Sequence, residues 1–423
     1  MSIDAYEEIR RRTLQRMEGA GIDPDDEGDA LYQLVTSTVG EYQRSAHLGA
    51  GRSLADPAAT VARLMRSVGS LGHLGGLLDR ADIEEIFIEG DRVTFLDSDG
   101  KLNALDVPTS ESENRRVIER LISETDRRLD ASSPIAQARV LEGSARLTAV
   151  IPPVSDHLSA TIRRYALRRQ SLSSLVELGS LSRPAGEFLR LAMASSASII
   201  VSGPPGAGKT SFLSALIDAV PPDHCVRSTE EVRELHIPLI HGAYYESRPP
   251  SLDGTGEVTL RDLVKMTLAM RPDLIVVGEV RGAEAFELTR AVNAGCGLAA
   301  TIHANSASDA LAALVNAALM AGENVPERVV RNIFAASIDL VVHLDRDLDR
   351  SGSVRRKVTE IRALVPALHD DFSTQPLFIR ERMSGALEWT GALPPDRLGG
   401  RLAKDLADGA SIPGLLRGEV VLA

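Results

Sequence analysis

The sequence predicts an α/β protein whose larger core carries a largely parallel sheet, preceded by a small α+β domain and an N-terminal helical arm. Two observations carry this. From residue 184 onward, short strand-like runs (Ser198–Val201, Cys225–Ser228, Leu274–Val277, Ala299–Ile302) alternate with helical patterns, notably Leu260–Met270 and Ala307–Ala321. That is the rhythm of buried parallel strands joined by crossover helices. The first of these runs also passes straight into a glycine-rich loop and then a helical segment, SFLSALIDA.

The elements follow in order. Residues 1–72 read as the helical arm, because Glu7–Met17, Ala30–Tyr42 and Pro57–Val68 repeat apolar residues at helical spacing, with Gly and Asp-Pro punctuation between them. Residues 73–168 read as the small α+β domain. Ile83–Glu89 alternates like a strand, Arg92–Leu96 follows a Gly-Asp turn, and Asp97–Lys101 turns the chain again. Arg115–Thr125 is helical in pattern, and apolar runs return at Leu147–Ile151 and Ser159–Ile162. Residues 169–183, rich in Ser and Leu, read as a linker, 184–365 as the core domain, and 366–423, which hold Trp389, as a C-terminal appendage.

Composition sets the limits. The 423 residues are 43% hydrophobic and 25% charged, ordinary for a globular chain of two or three domains. A formal net charge of −12 disfavours nucleic acid as a partner, since such binding rests on neutralising phosphates. Cys225 and Cys296 stand far apart without zinc-site spacing and read as buried small hydrophobes, which fits a reducing cytoplasm. The charged N-terminus lacks the apolar stretch of a signal peptide, and no run of about 18 apolar residues occurs. Any membrane role is expected to come through a partner.

Four motifs carry chemistry. Gly203-Pro204-Pro205-Gly206-Ala207-Gly208-Lys209-Thr210 fits G-x-x-x-x-G-K-[ST], with a strand leading in and a helix, opening at Ser211, leading out. The glycines let backbone N–H groups curl around phosphates, and the helix dipole favours the anion. Lys209 is placed to neutralise β/γ-phosphates of ATP, and Thr210 to put its hydroxyl on Mg²⁺. Next, Leu274–Val280 ends an apolar strand in Gly278 and Glu279. Gly278 stands where many P-loop enzymes carry the aspartate that holds Mg²⁺ through water, and Glu279 can reach an attacking water as general base. Ser228–Leu235 supplies other carboxylates, Glu230, Glu231 and Glu234, for that contact; on a turn or first helical turn, Glu230 and Glu234 would share a face. Finally, Ala299–Ser306 ends a strand in His303, placed to sense a γ-phosphate, with Asn305 or Ser306 as helix cap.

In this order the motifs resemble those of the secretion ATPase superfamily of type II, type IV and tight-adherence (Tad) pilus systems, above all CpaF-like Tad ATPases. The pieces are Gly203–Thr210, Glu230–Leu235, Met270–Gly282 and Thr301–Ser306. Asp130–Arg139, Glu142–Arg146 and Ser159–Tyr165 extend the resemblance upstream. It implies a RecA-like P-loop core in a homohexameric ring that clamps ATP at subunit boundaries. Such a ring would drive pilin assembly through inner-membrane platform proteins, on the cytoplasmic side and without inserting in the membrane. It also implies that Glu279 is the catalytic acid, that Glu230, Glu231 and Glu234 form an acidic box, with Glu230 and Glu231 reaching Mg²⁺ through water, and that Arg139, Arg146, Arg163 and Arg164 are candidate phosphate clamps. Arg281 is a further cation near the site. One run departs from the family pattern: Asn293–Gly297 carries Cys296 where a histidine is usual, leaving His303 as the candidate histidine. The competing readings are a conjugation or type IV secretion ATPase, a RecA-like nucleic-acid motor, and a nucleotide-binding scaffold without hydrolysis.

Overall fold

The computed structural model describes residues 3–22, 28–49, 52–68, 71–98, 100–164, 170–250, 254–348, 354–365, 372–383, 385–407 and 409–420. Parts of the two loops between the arm helices (23–27 and 50–51), position 99 of the Asp97–Lys101 turn, Tyr165, the start of the linker at 169 and the boundary at 366 lie outside the described residues. The chain forms two compact units, Met1–Ala166 and Leu167–Ala423.

In the first unit, helices α1 (Ile3–Ala20), α2 (Gly28–His47) and α3 (Pro57–Val68) build a small core of their own. Leu31, Val35, Val39, Tyr42 and Ala46, spaced three or four apart, bury one stripe of α2. A short helix α4 (Gly75–Leu78) leads into strands β1 (Ile83–Glu89), β2 (Arg92–Asp97) and β3 (Leu102–Ala104), helix α5 (Glu111–Ser123), and strands β4 (Ile135–Val140), β5 (Ala145–Val150) and β6 (Ser159–Arg164). The sheet is antiparallel in the order β3-β2-β1-β6-β5-β4. Helix α5 starts with a capping box: Ser110 N donates to Glu113 Oε2 at 2.8 Å while the Ser110 hydroxyl accepts from Glu113 N. The other oxygen of Glu113 fastens the arm. It takes Tyr6 Oη at 3.1 Å, Arg10 Nε at 3.0 Å and a short bond from Ser67 Oγ, all in the buried interior. Burial works against the charge of Glu113, yet the bonds from Ser67 and Ser110 and the charge of Arg10 hold its carboxyl below the usual range. The arm is thus packed into this unit through a buried polar network.

The second unit contains α6 (Leu172–Glu177), α7 (Arg183–Ala194), β7 (Ile199–Ser202), α8 (Lys209–Asp218), β8 (Val226–Glu230), β9 (Gly242–Glu246), α9 (Leu260–Leu268), β10 (Leu274–Val280), α10 (Glu284–Asn293), β11 (Gly297–Ile302), α11 (Ala307–Leu319), α12 (Glu327–Ser337), β12 (Leu340–Leu348), β13 (Val354–Val365), β14 (Ser373–Ile379), β15 (Glu388–Trp389), α13 (Asp396–Leu402) and α14 (Ile412–Arg417). Its sheet runs β15-β14-β13-β12-β7-β11-β10-β8-β9. From β9 to β12 the neighbours are parallel, and from β12 to β15 they are antiparallel. Alternate residues feed two cores. Ile199, Val201 and Val276 face α7 and α8, whereas Ile200, Ile275 and Val277 face α9 to α12.

Two segments differ from the sequence expectation. The stretch expected as a linker contains α6, capped by Ser171, whose Leu172 and Leu175 are buried in the core. The stretch expected as an appendage adds β14 and β15 to the edge of the same sheet, and Leu398, Leu402, Leu415 and Leu416 join its core. Asp339 secures that addition: it accepts from Ser198 N and from Arg397 Nη2, each at 2.9 Å, and pairs closely with Arg401. Among the described residues no helix is long and apolar enough to cross a membrane.

Candidate nucleotide site

Parallel strands deliver their following loops to one edge of the sheet. At that edge β7 opens into the Gly203–Gly208 loop, and α8 starts at Lys209. The glycines are required by geometry. A Cβ on Gly203 would lie 2.4 Å from the Leu344 carbonyl oxygen, and Gly206 and Gly208 hold φ of +73° and +88°. Ala207 is buried, Pro204 and Thr210 half-buried, and Pro205 and Ser211 exposed. Thr210 occupies the first turn of α8, as a hydroxyl intended for a metal should.

The Lys209 ammonium is buried. It donates to the carbonyls of Gly203 (3.0 Å) and Pro204 (3.2 Å) and to His303 Nδ1 (3.1 Å). With Nδ1 accepting, the ring proton sits on Nε2. That nitrogen meets Glu279 Oε1 in a close contact that lacks hydrogen-bond alignment. Burial, and then the Lys209 charge, push His303 below its ordinary pKa, which keeps it neutral at pH 7. Glu279 Oε2 accepts from Arg281 Nη2 at 2.6 Å, and Arg281 Nη1 reaches Glu231 Oε2 at 3.0 Å. Lys209, His303, Glu279, Arg281 and Glu231 therefore form one continuous chain of contacts along the strand ends.

Glu230 occupies a different position from Glu231. It is 3% exposed at the end of β8, and its Oε1 accepts from the backbone N–H of Glu234 (3.0 Å) and Leu235 (3.2 Å). Burial pushes its carboxyl up to about 7, against the pull of those two bonds. Of the turn or first helical turn expected for it, the segment after it takes the non-helical form, a bend followed by an extended stretch, because the Glu230 side chain takes the N–H groups a helix would use. Its neighbour across the sheet is Gly278, where a Cβ would lie 2.7 Å from Glu230 Cγ. The carboxylate of Glu230 thus fills the space beside the position that lacks an aspartate. Glu234 is half-buried, and its charge acts on Arg281.

Ser306, rather than Asn305, caps α11, accepting from Asp309 N at 3.0 Å. Cys296 precedes β11, at the opposite end of that strand from His303, and takes no part in the site. Burial pushes its thiol up to about 11. In the first unit, Arg139, Arg146 and Arg163 are register partners across β4, β5 and β6 and so share one face. Arg139 donates to the Gly143 carbonyl, Arg146 to Gln137, and Arg163 pairs with Glu85. Arg164 is the next residue along β6, on the other face, and bonds to the Arg80 carbonyl. The structure thus brings three of the four arginines together.

Sequence reasoning missed several residues. Glu284 Oε1 accepts from Arg281 N (2.6 Å) and Gly282 N (2.8 Å), fixing the turn that presents Arg281. Thr301 Oγ1 donates to the Gly278 carbonyl at 2.6 Å. Arg356 Nε donates to the Gly206 carbonyl at 3.1 Å, and Arg346 lies against the same glycine. The strand period of two, which puts positions 279 and 281 on one face, is a signal that could have found the Glu279–Arg281 pair.

Residues 83–375, more than half of the chain, match the family model described as type II/IV secretion system protein. A Mycobacterium tuberculosis protein described for conjugal transfer is 36% identical over 263 residues, 60% of this chain and 72% of the relative. The type IV secretion system protein PtlH of Bordetella pertussis is 33% identical over 272 residues, 56% of this chain and 76% of the relative. Among solved structures, the VirB11 ATPase of the Brucella suis type IV secretion system aligns over 71% of this chain and 96% of its own, with 23% identity and a TM-score of 0.37.

Proposed function

Since this chain belongs to the type II/IV secretion system protein family, we propose that it is an ATP-hydrolysing motor with a RecA-like core that powers a conjugation or type IV secretion machine. The relatives reported above are named for conjugal transfer and type IV secretion, which favours this reading over Tad pilus assembly. The observation that carries it is the meeting of Lys209, His303 and Glu279 beside the glycine loop, at the ends of three parallel strands.

The loop fits a polyphosphate: Gly203, which no Cβ could replace, two further glycines at positive φ, a helix start and a buried ammonium surround it. Bound Mg²⁺ would neutralise phosphate oxygens and leave the terminal phosphorus open to water. Lys209 exchanges carbonyl and imidazole acceptors for phosphate oxygens. Thr210 would offer its hydroxyl to the metal, and the carboxyls of Glu230 and Glu231 would be the candidates to contact it through water. Glu279, released from His303, would take the proton of the attacking water as the water oxygen bonds the terminal phosphorus and the bond to the departing ADP oxygen breaks, while Arg281 holds the other carboxylate oxygen. Family membership is what supports assembly as a homohexamer, and in such a ring the row Arg139, Arg146 and Arg163 would be the candidate to meet phosphates presented by a neighbouring subunit. Family membership also supports a cytoplasmic site beside the inner membrane, reached through platform partners.

Phosphate release from the purified chain tests the reading. Glu279→Gln should keep ATP affinity near the parent's and lose roughly 10²–10⁴ in turnover. A variant that hydrolyses at the parental rate would move the base elsewhere, and a parent that binds no nucleotide would remove the proposal.

A further inference from the structure

Two arginines lie outside the roles given so far. Strand β12 runs parallel to β7 and pairs His343 with Ser202, so its later residues continue past the end of β7, beside the glycine loop. Strand β13 returns antiparallel and sets Arg346 opposite Arg356. Residues directly opposite share a face of the sheet, and the positions to either side share the other. Those positions pair Asp345 with Lys357 and Asp347 with Arg355. Acid meets base on one face, and arginine meets arginine on the other. The arginine pair lies where both side chains can share a contact.

The glycine loop supplies one. Arg356 Nε donates to the Gly206 carbonyl at 3.1 Å. A Cβ on Gly206 would come within 2.9 Å of Arg346 Nη1, and one on Gly208 within 3.5 Å of Arg356 Cδ. Both side chains therefore lie against residues 206–208, whose left-handed backbone shapes the loop. A charged donor on the Gly206 carbonyl pins that shape, and two guanidiniums beside the loop raise its positive potential. We infer that Arg346 and Arg356 are positioning residues for a nucleoside triphosphate: they hold the glycine loop and lend charge to polyphosphate binding from the same chain. The inference rests on the nucleotide-site reading above.

The test uses the full chain and the variants Arg346→Gln, Arg356→Gln and Arg356→Lys. Affinities for Mg²⁺–ATP and Mg²⁺–ADP are measured by displacement of a fluorescent nucleotide at two salt concentrations, with melting curves for each protein. Each glutamine variant should weaken ATP binding about tenfold, as one charge acting through roughly 10 Å of protein does. It should weaken ADP binding less and reduce the salt dependence of binding. Arg356→Lys should keep most of the ATP affinity. ATP binding within twofold of the parent in both glutamine variants overturns the inference. So does an equal loss for ATP and ADP with a lowered melting temperature, which marks a purely structural brace. Lys209→Ala separates the two levels. If it binds ATP like the parent, the nucleotide-site reading fails. If it loses binding while the arginine variants do not, this inference alone fails.

Discussion

Gly278→Ala tests the arrangement at the missing aspartate most directly. A Cβ at this position would lie 2.7 Å from Glu230 Cγ and 3.1 Å from its Oε1. Glu230 cannot step aside without loss: it is buried, and its carboxylate holds the N–H groups of Glu234 and Leu235 at 3.0 and 3.2 Å. Overpacking by one methyl costs about 1–3 kcal/mol, and disturbing a backbone bond to a carboxylate about another 1.5 kcal/mol, so a loss of about 3 kcal/mol is expected. Glu230→Ala removes the obstructing atoms. The double variant should therefore exceed the additive stability by about 1–2 kcal/mol in a cycle measured by urea unfolding. Phosphate release should fall in both single variants. A parental unfolding midpoint for Gly278→Ala, or strict additivity in the cycle, would show that Glu230 does not pack on Gly278.

Two further outcomes follow from the same geometry. His303→Ala should leave ATP affinity within a few-fold of the parent, because Lys209 remains, and lower turnover about ten- to a hundredfold; unchanged turnover would remove His303 from the mechanism. Burial holds His343 below its ordinary pKa, against the opposite pull of Glu360, Asp345 and Asp309, so the folded chain keeps it neutral. The unfolded chain takes up that proton below about pH 6.5, so the contribution of His343 is fully present above that pH and is lost as the pH falls below it. His343→Asn should shrink the stability difference between pH 7.5 and pH 5.5 in urea titrations; an equal or larger difference would contradict this.

The glycine loop, its strand and its helix were legible because they are contiguous: sequence order is spatial order there. Arm helix α3 and strand β1 fall on the expected residues for the same reason, since a local period decides them. Strands β12 and β13 were missed because Asp345–Leu348 and Val354–Lys357 carry charge on both faces, which hides the period-two pattern. For the acidic box the spacing leaves a turn and a first helical turn both open. Spacing could not show that the Glu230 side chain would compete with the backbone for the N–H groups of Glu234 and Leu235. Arg346 and Arg356 depend on register between two strands, which no local period specifies.

The placement of His303 explains how a lysine and a glutamate can share a small site without pairing to each other. A direct Lys209–Glu279 salt bridge would occupy the cation proposed for phosphate and the base proposed for water. His303 stands between them, accepting from Lys209 at Nδ1 and touching Glu279 Oε1 through Nε2 without hydrogen-bond alignment. Burial and the adjacent ammonium resist a second proton on the ring, so it remains a neutral spacer. An arriving phosphate that draws Lys209 away removes the bond at Nδ1. The imidazole then loses the contact that set its tautomer, and its hold on Glu279 loosens. On the proposed mechanism, occupation of the loop and release of the base would thus be linked through one side chain.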